Sequence, residues 1–267
     1  MSGRTRAYLM TRGKMRNQGY GFLGEVPPEV WWEPVAPWVI LESEELVVRR
    51  GADGVTGLLI SGVPSQRTDV IGTRIRHTVV LDYAHLEPRL ALWLVRCGLS
   101  DVERTELGEA LDTAFDGDLV HALMSDPNAD IEDRLLGVLR RAAGDVTAEA
   151  GGDDLLGSWT GAVRDETAVT AFLARARNLL EDGGPGYAFT THAIGSPDGA
   201  RRAARALAGT TAVLLHESDI RGVEPLGKVP GQAPQSHAPT GSWKAYLVAA
   251  LVVLAVLLGV WWLVRRL

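Results

Sequence analysis

Apolar positions change their period along this chain. In residues 1–84 they fall in short or alternating runs, and from His85 onward they recur every three or four residues. Ala7–Thr11, Trp38–Glu42, Leu46–Arg50, Val55–Ser61 and Thr73–Tyr83 are rich in Val, Ile, Leu and aromatics between Gly, Pro and Asp punctuation, and are predicted as strands. Ala52-Asp53-Gly54 reads as a hairpin turn, because Asp-Gly tolerates the positive φ such turns require.

The helical period marks Leu86, Leu90, Trp93 and Cys97, then Leu107, Leu111 and Phe115, then a short element at Leu119–Met124. It continues through Ile131, Leu135, Val138 and Ala142, and through Val169, Phe172, Leu173, Ala176 and Leu180. Asp101, Asp130 and Asp165 suit the helix starts, and Gly144 and Gly183 the stops. Tyr187–Ile194, Asp198–Ala208 and Ala212–His216 then read as strand, helix and strand, a βαβ unit whose strands run parallel. The expected class is α+β (mixed α/β): a β-rich N-terminal part, a helical middle and the C-terminal βαβ unit. Residues 1–223 form the folded part, either whole or divided into 1–84 and 85–223.

The pattern ends twice more. Glu224–Ser242 carries Pro225, Gly227, Pro230, Gly231, Pro234, Pro239 and Gly241, and reads as a linker. Residues 243–267 read as a membrane anchor. Ala245–Val264 contains no charge and is long enough, at roughly 30 Å of helix, to cross a hydrocarbon core. Trp243 and Tyr246 flank one end, and Trp261, Trp262, Arg265 and Arg266 the other. Only Leu267 follows, so a single-pass tail anchor is expected, with the bilayer as partner. Ala245/Ala249 and Ala255/Gly259 would permit homo-oligomers through the span. The first residues, MSGRTRAYLMTRGK, lack the apolar run of a secretory signal. This places the folded part in the cytoplasm and the anchor in the cytoplasmic membrane; charge alone does not orient the span, because Lys228 and Lys244 balance Arg265 and Arg266.

Composition narrows the function. The net charge of −6 and the acidic stretch 100–155 disfavour nucleic acid, which selects a basic face. Cys97, the single cysteine, excludes a disulfide framework and a Cys-based metal site, and its helical spacing reads as core. Arginine far outnumbers lysine, a usage associated with high-GC bacteria.

Gly19-Tyr20-Gly21-Phe22-Leu23-Gly24 fits G-x-G-x-x-G, but Pro27 and Pro28 follow where a dinucleotide site needs a helix. It reads as a glycine-rich hairpin or loop, and no cofactor is expected. On a strand through Thr73–Tyr83, Arg74 and Arg76 share one face and suit a bidentate anion clamp, against the alternative of surface ion pairs. Ser196 opens a helix directly after a strand with Arg201 one turn on: an anion site or an ordinary cap. His77, His192 and His216 lie in or beside strands, and Glu217 and Asp219 follow the last. They are the parts of a hydrolase, but no nucleophile elbow or metal-ligand spacing accompanies them, so they read as structural and no metal is expected. Trp31, Trp32 and Trp38 sit among prolines, as a lid over the core or a docking segment.

The leading expectation is a non-enzymatic, membrane-tethered module whose cytoplasmic domain binds an anionic small molecule or a protein, through Arg74, Arg76, Ser196 and Arg201. The layout resembles that of membrane-anchored sensors and effectors of bacterial signalling and conflict systems. Two alternatives stand: a tethered hydrolase or nuclease using His77, His192 or His216 with Asp219 or Glu217, and a scaffold that recruits a soluble enzyme.

Overall fold

The computed structural model describes residues 3–13, 19–28, 30–126, 129–144, 152 and 154–227. The expected span and the linker beyond residue 227 lie outside the described residues. Among the described residues no helix is long and apolar enough to cross a membrane.

Among the described residues nine strands form one mixed sheet: β1 Arg6–Arg12, β2 Tyr20–Phe22, β3 Leu46–Arg50, β4 Thr56–Thr68, β5 Arg74–Asp82, β6 Trp159–Ala162, β7 Gly186–Thr191, β8 Thr210–Leu215 and β9 Val223–Pro225. Their order across the sheet is β2-β1-β5-β4-β3-β7-β8-β6-β9. β7, β8 and β6 are parallel; the other pairings are antiparallel. The sheet therefore runs through both the β-rich part and the βαβ unit, joined where Val47 of β3 pairs with Phe189 of β7.

Six helices are described: α1 Pro88–Leu99, α2 Asp101–Ala114, α3 Gly117–Leu123, α4 Glu132–Ala143, α5 Glu166–Leu180 and α6 Pro197–Ala206. Period-2 alternation divides the strand residues between two cores. Leu46, Val48, Val79 and Leu81 pack with the α1, α2, α4 and α5 stripes, while Val47, Val80 and Phe189 pack with Trp31, Trp32 and α6. β6 leads to β7 across β8, and β7 leads back to β8. Successive right-handed crossovers in opposite directions put their helices, α5 and α6, on opposite faces.

Several expectations hold and several do not. β3 and β5 lie where the short apolar runs predict, and the glycine-rich 19–24 stretch holds the edge strand β2, with no helix after it. Trp38–Glu42 is not a strand: Ala36–Trp38 is a 3₁₀ turn, because Pro37 has no N–H for a ladder. The tryptophan segment is a lid, with Trp31 donating from Nε1 to Asp82 at 2.8 Å. The first residues expected in the linker belong to the sheet instead, since Val223–Pro225 pairs with β6 and Leu226 is buried; Pro225 is tolerated on the sheet edge.

Candidate functional site

The sheet topology brings three strand ends together. β7 and β8 run parallel, so His192 and His216, each the residue after its strand, emerge side by side. β3 runs antiparallel to β7, so Glu45, the residue before β3, sits at that same end. Ligands of open α/β sheets bind at the carboxyl ends of parallel strands, which is where this group stands.

The two imidazoles stack at 3.6 Å between centroids with planes 12° apart. Glu45 has no exposed side-chain surface. Its Oε1 accepts from the main-chain N–H of His192 at 2.9 Å and of Ile40 at 3.2 Å, and lies 3.3 Å from His192 Nδ1. Its Oε2 accepts from the Thr190 hydroxyl at 3.2 Å. One ligand atom from each of Glu45, His192 and His216 falls within 4.8 Å of the others. Two ligands of one tetrahedral zinc ion stand about 3.3 Å apart, given Zn–N and Zn–O bonds of about 2.0–2.2 Å. The Glu45–His192 spacing already matches.

Electrostatics favour the ligand-ready form of His216. Burial, then His192 and Arg104, draws His216 down to about 4, so its ring is neutral near pH 7. A main-chain hydrogen bond to Glu44 orients this ring, and its Nε2 is buried with no partner. Burial pushes Glu45 up, opposed by the His192 and Ile40 N–H groups. A cation would reverse that pressure, since a nearby positive charge favours the carboxylate.

The other expected site residues are dispersed. His77 belongs to a separate network: its Nε2 lies 3.0 Å from Asp112 Oδ1, which also accepts from Ser65 Oγ at 2.6 Å. Serine and histidine both address the carboxylate here, so the set lacks the serine-to-imidazole contact of a nucleophilic triad. Glu217 and Asp219 are exposed and stand outside the Glu45 group. Arg74 is exposed; Arg76 pairs with Glu44 at 3.1 Å. Ser196 caps α6 by accepting from Gly199 N–H, and Arg201 pairs with Asp198 one turn below. β5, which carries Arg74 and Arg76, is separated from β7 by β4 and β3, about 14 Å of sheet. All four residues nonetheless lie toward the sheet end that holds Glu45, because β5 runs parallel to β3.

Sequence reasoning missed Glu45. The available signal was an acid directly before the buried run Leu46-Val47-Val48, where solvent exposure is not the default.

The described unit is thus a mixed α/β sheet protein with a His–His–Glu group at its parallel strand ends. Comparison with protein-family models, curated proteins and solved structures finds no match to this chain.

Proposed function

We propose that the folded unit is a metal-dependent hydrolase centred on Glu45, His192 and His216, held at a membrane surface by residues 243–267. The observation that carries this reading is the convergence of three ligand-type side chains within 4.8 Å, one of whose nitrogens, His216 Nε2, is buried and unpartnered. Leaving such a group unsatisfied costs about 1–3 kcal/mol, a cost that a bound cation would remove. Two imidazoles and a carboxylate form the borderline nitrogen–oxygen donor set of zinc and ferrous iron. Three protein ligands leave a coordination position open, the arrangement of catalytic rather than structural centres. A divalent ion there would supply a Lewis acid and an acidified water.

This geometry favours the hydrolase alternative over a binding module made of Arg74, Arg76, Ser196 and Arg201, which are engaged in a pair, a cap or open surface on separated elements. The ligand-binding expectation survives in reduced form, through Arg76.

The metal is tested with the full-length chain in detergent. Cobalt(II) titration is expected to give saturable absorption of a low-coordinate nitrogen–oxygen site, displaced by zinc. His192→Ala and His216→Ala should each weaken it by more than the about 10–100-fold that losing an outer-shell partner costs. Absence of saturable binding in the unaltered chain overturns the metal centre. The tether rests on the uncharged run Ala245–Val264. Membranes washed with alkaline carbonate should retain the full chain and release a 1–228 fragment; release of both would remove the anchor from the proposal.

A further inference from the structure

Beside the three ligands, Glu44 stands between two guanidinium groups from different elements. Its Oε1 lies 3.1 Å from Arg76 Nη1 and its Oε2 3.1 Å from Arg104 Nη1. Arg76 comes from β5 and also donates to Gly62 O at 3.3 Å. Arg104 comes from α2, has 5 % of its side chain exposed, and donates to Gly98 O and Asp101. Its Nε is buried with no partner. Both arginines are therefore fixed by contacts other than Glu44.

Glu44 is held more loosely. Its side chain is 38 % exposed and Arg76 is 40 % exposed, and ion pairs in that setting contribute about 0–1 kcal/mol each. The site is also close to the proposed centre. Glu44 precedes Glu45, its main chain bonds the His216 ring, and Arg104 is near enough to disfavour the charged form of that ring. Gly62, with φ +69°, makes this approach possible: a Cβ there would meet Glu44 Cα and Ser43 O at 2.6 Å.

Two preset guanidiniums converging on a carboxylate form an oxyanion seat. We infer that this seat takes the phosphoryl group of a small phosphorylated substrate, and that Glu44 is its internal stand-in, displaced on binding. That the anion is a substrate rests on the hydrolase reading; the seat itself does not. A carboxylate ligand would only exchange one monoanion for another, against a competitor tethered at an effective concentration in roughly the millimolar range. A phosphoryl group brings about −1.5 to −2 charges and three acceptor oxygens.

The test measures inorganic phosphate binding by calorimetry on the full-length chain in detergent, at constant ionic strength, with cobalt(II) titration run on the same samples. Glu44→Gln removes the competing negative charge and is expected to tighten phosphate at least about tenfold, or 1.4 kcal/mol. Arg76→Ala should weaken it by a similar factor. Glu42→Gln, the same charge change at an exposed neighbour, should leave it unaltered. Acetate should bind at least about tenfold more weakly than phosphate. Unchanged or weaker phosphate binding in Glu44→Gln overturns the seat, as does an equal response in Glu42→Gln, and acetate binding as tightly as phosphate overturns the phosphoryl assignment. Normal cobalt binding in such a result leaves the metal centre standing. Loss of cobalt binding with the phosphate pattern intact does the reverse.

Discussion

Replacing Glu45 by alanine is expected to lower the unfolding free energy of the Met1–Lys228 unit by about 3–5 kcal/mol, besides removing a ligand of the proposed metal centre. The side chain is wholly buried, and its two oxygens receive donors from two segments, Ile40 five residues away and Thr190 with His192 across the sheet. The Ile40 and His192 main-chain N–H groups and the Thr190 hydroxyl would each lose an acceptor, at about 1–3 kcal/mol per group left unpaired, less whatever entering water restores. Glu45→Gln separates the two roles. The amide oxygen still accepts from the main chain, so the loss should fall to about 1–2 kcal/mol, while the negative charge that a cation needs is gone. Urea unfolding of the metal-free proteins checks this. A loss under about 1 kcal/mol for Glu45→Ala would show that Glu45 does not hold the strand ends together.

Much of the fold was legible where packing is local. Leu46–Arg50 opens on the continuous apolar run Leu46-Val47-Val48 and lies between two neighbours in the sheet with both faces covered, so pattern and structure agree on β3. The βαβ unit announced itself through Pro197 at the helix start and the Ala200/Ala203 stripe. Departures occur where one residue overrides its neighbours. Val55–Ser61 continues to Thr68 because the ladder between β4 and β5 shifts register around Gly62 and resumes at Val63 and His77. The helix expected to be capped by Asp101 is capped instead by Ser100, one residue earlier, whose hydroxyl accepts from Glu103 N–H.

The candidate site was half legible. His192 and His216 stood out because each follows a predicted parallel strand. Their carboxylate was sought next to them in sequence, at Glu217 and Asp219, whereas Glu45 lies 147 residues from His192. Only the antiparallel docking of β3 on β7 places it there, and strand order between non-consecutive elements is not encoded in periodicity. His77 shows the converse: alternation correctly assigns it the face of Val79 and Leu81, and that face is the one covered by α2, away from the other two histidines.

A large effect of acid is expected at Asp112, through which α2 grips the sheet. Its carboxylate takes Ser65 Oγ at 2.6 Å, Gln66 N at 2.5 Å, His77 Nε2 at 3.0 Å and Arg67 Nε at 3.4 Å, and is only 13 % exposed. Burial alone would raise its pKa; hydrogen bonds from His77, Ser65 and Gln66 outweigh it and hold the group at about 2. An unfolded chain titrates near 3.9, so the folded state prefers the ionised form by about 2–3 kcal/mol. Because the folded value is the lower one, this stabilisation is complete above about pH 4 and is lost as pH falls toward 2. Burial lowers His77 as well, so its neutral ring becomes a further liability below its ordinary pKa. Asp112→Ala should therefore cost about 3–4 kcal/mol at pH 7, from the stranded Ser65, Gln66 and Arg67 donors. Asp112→Asn should cost about 2 kcal/mol at pH 7 and little at pH 2.5, so that its unfolding curve converges with that of the unaltered protein in acid. Urea unfolding at pH 7, 4 and 2.5 measures both. A gap between the Asp112→Asn variant and the unaltered protein that stays constant across that range would mean that the carboxylate acts by shape alone, and that its charge contributes nothing to holding α2 in place.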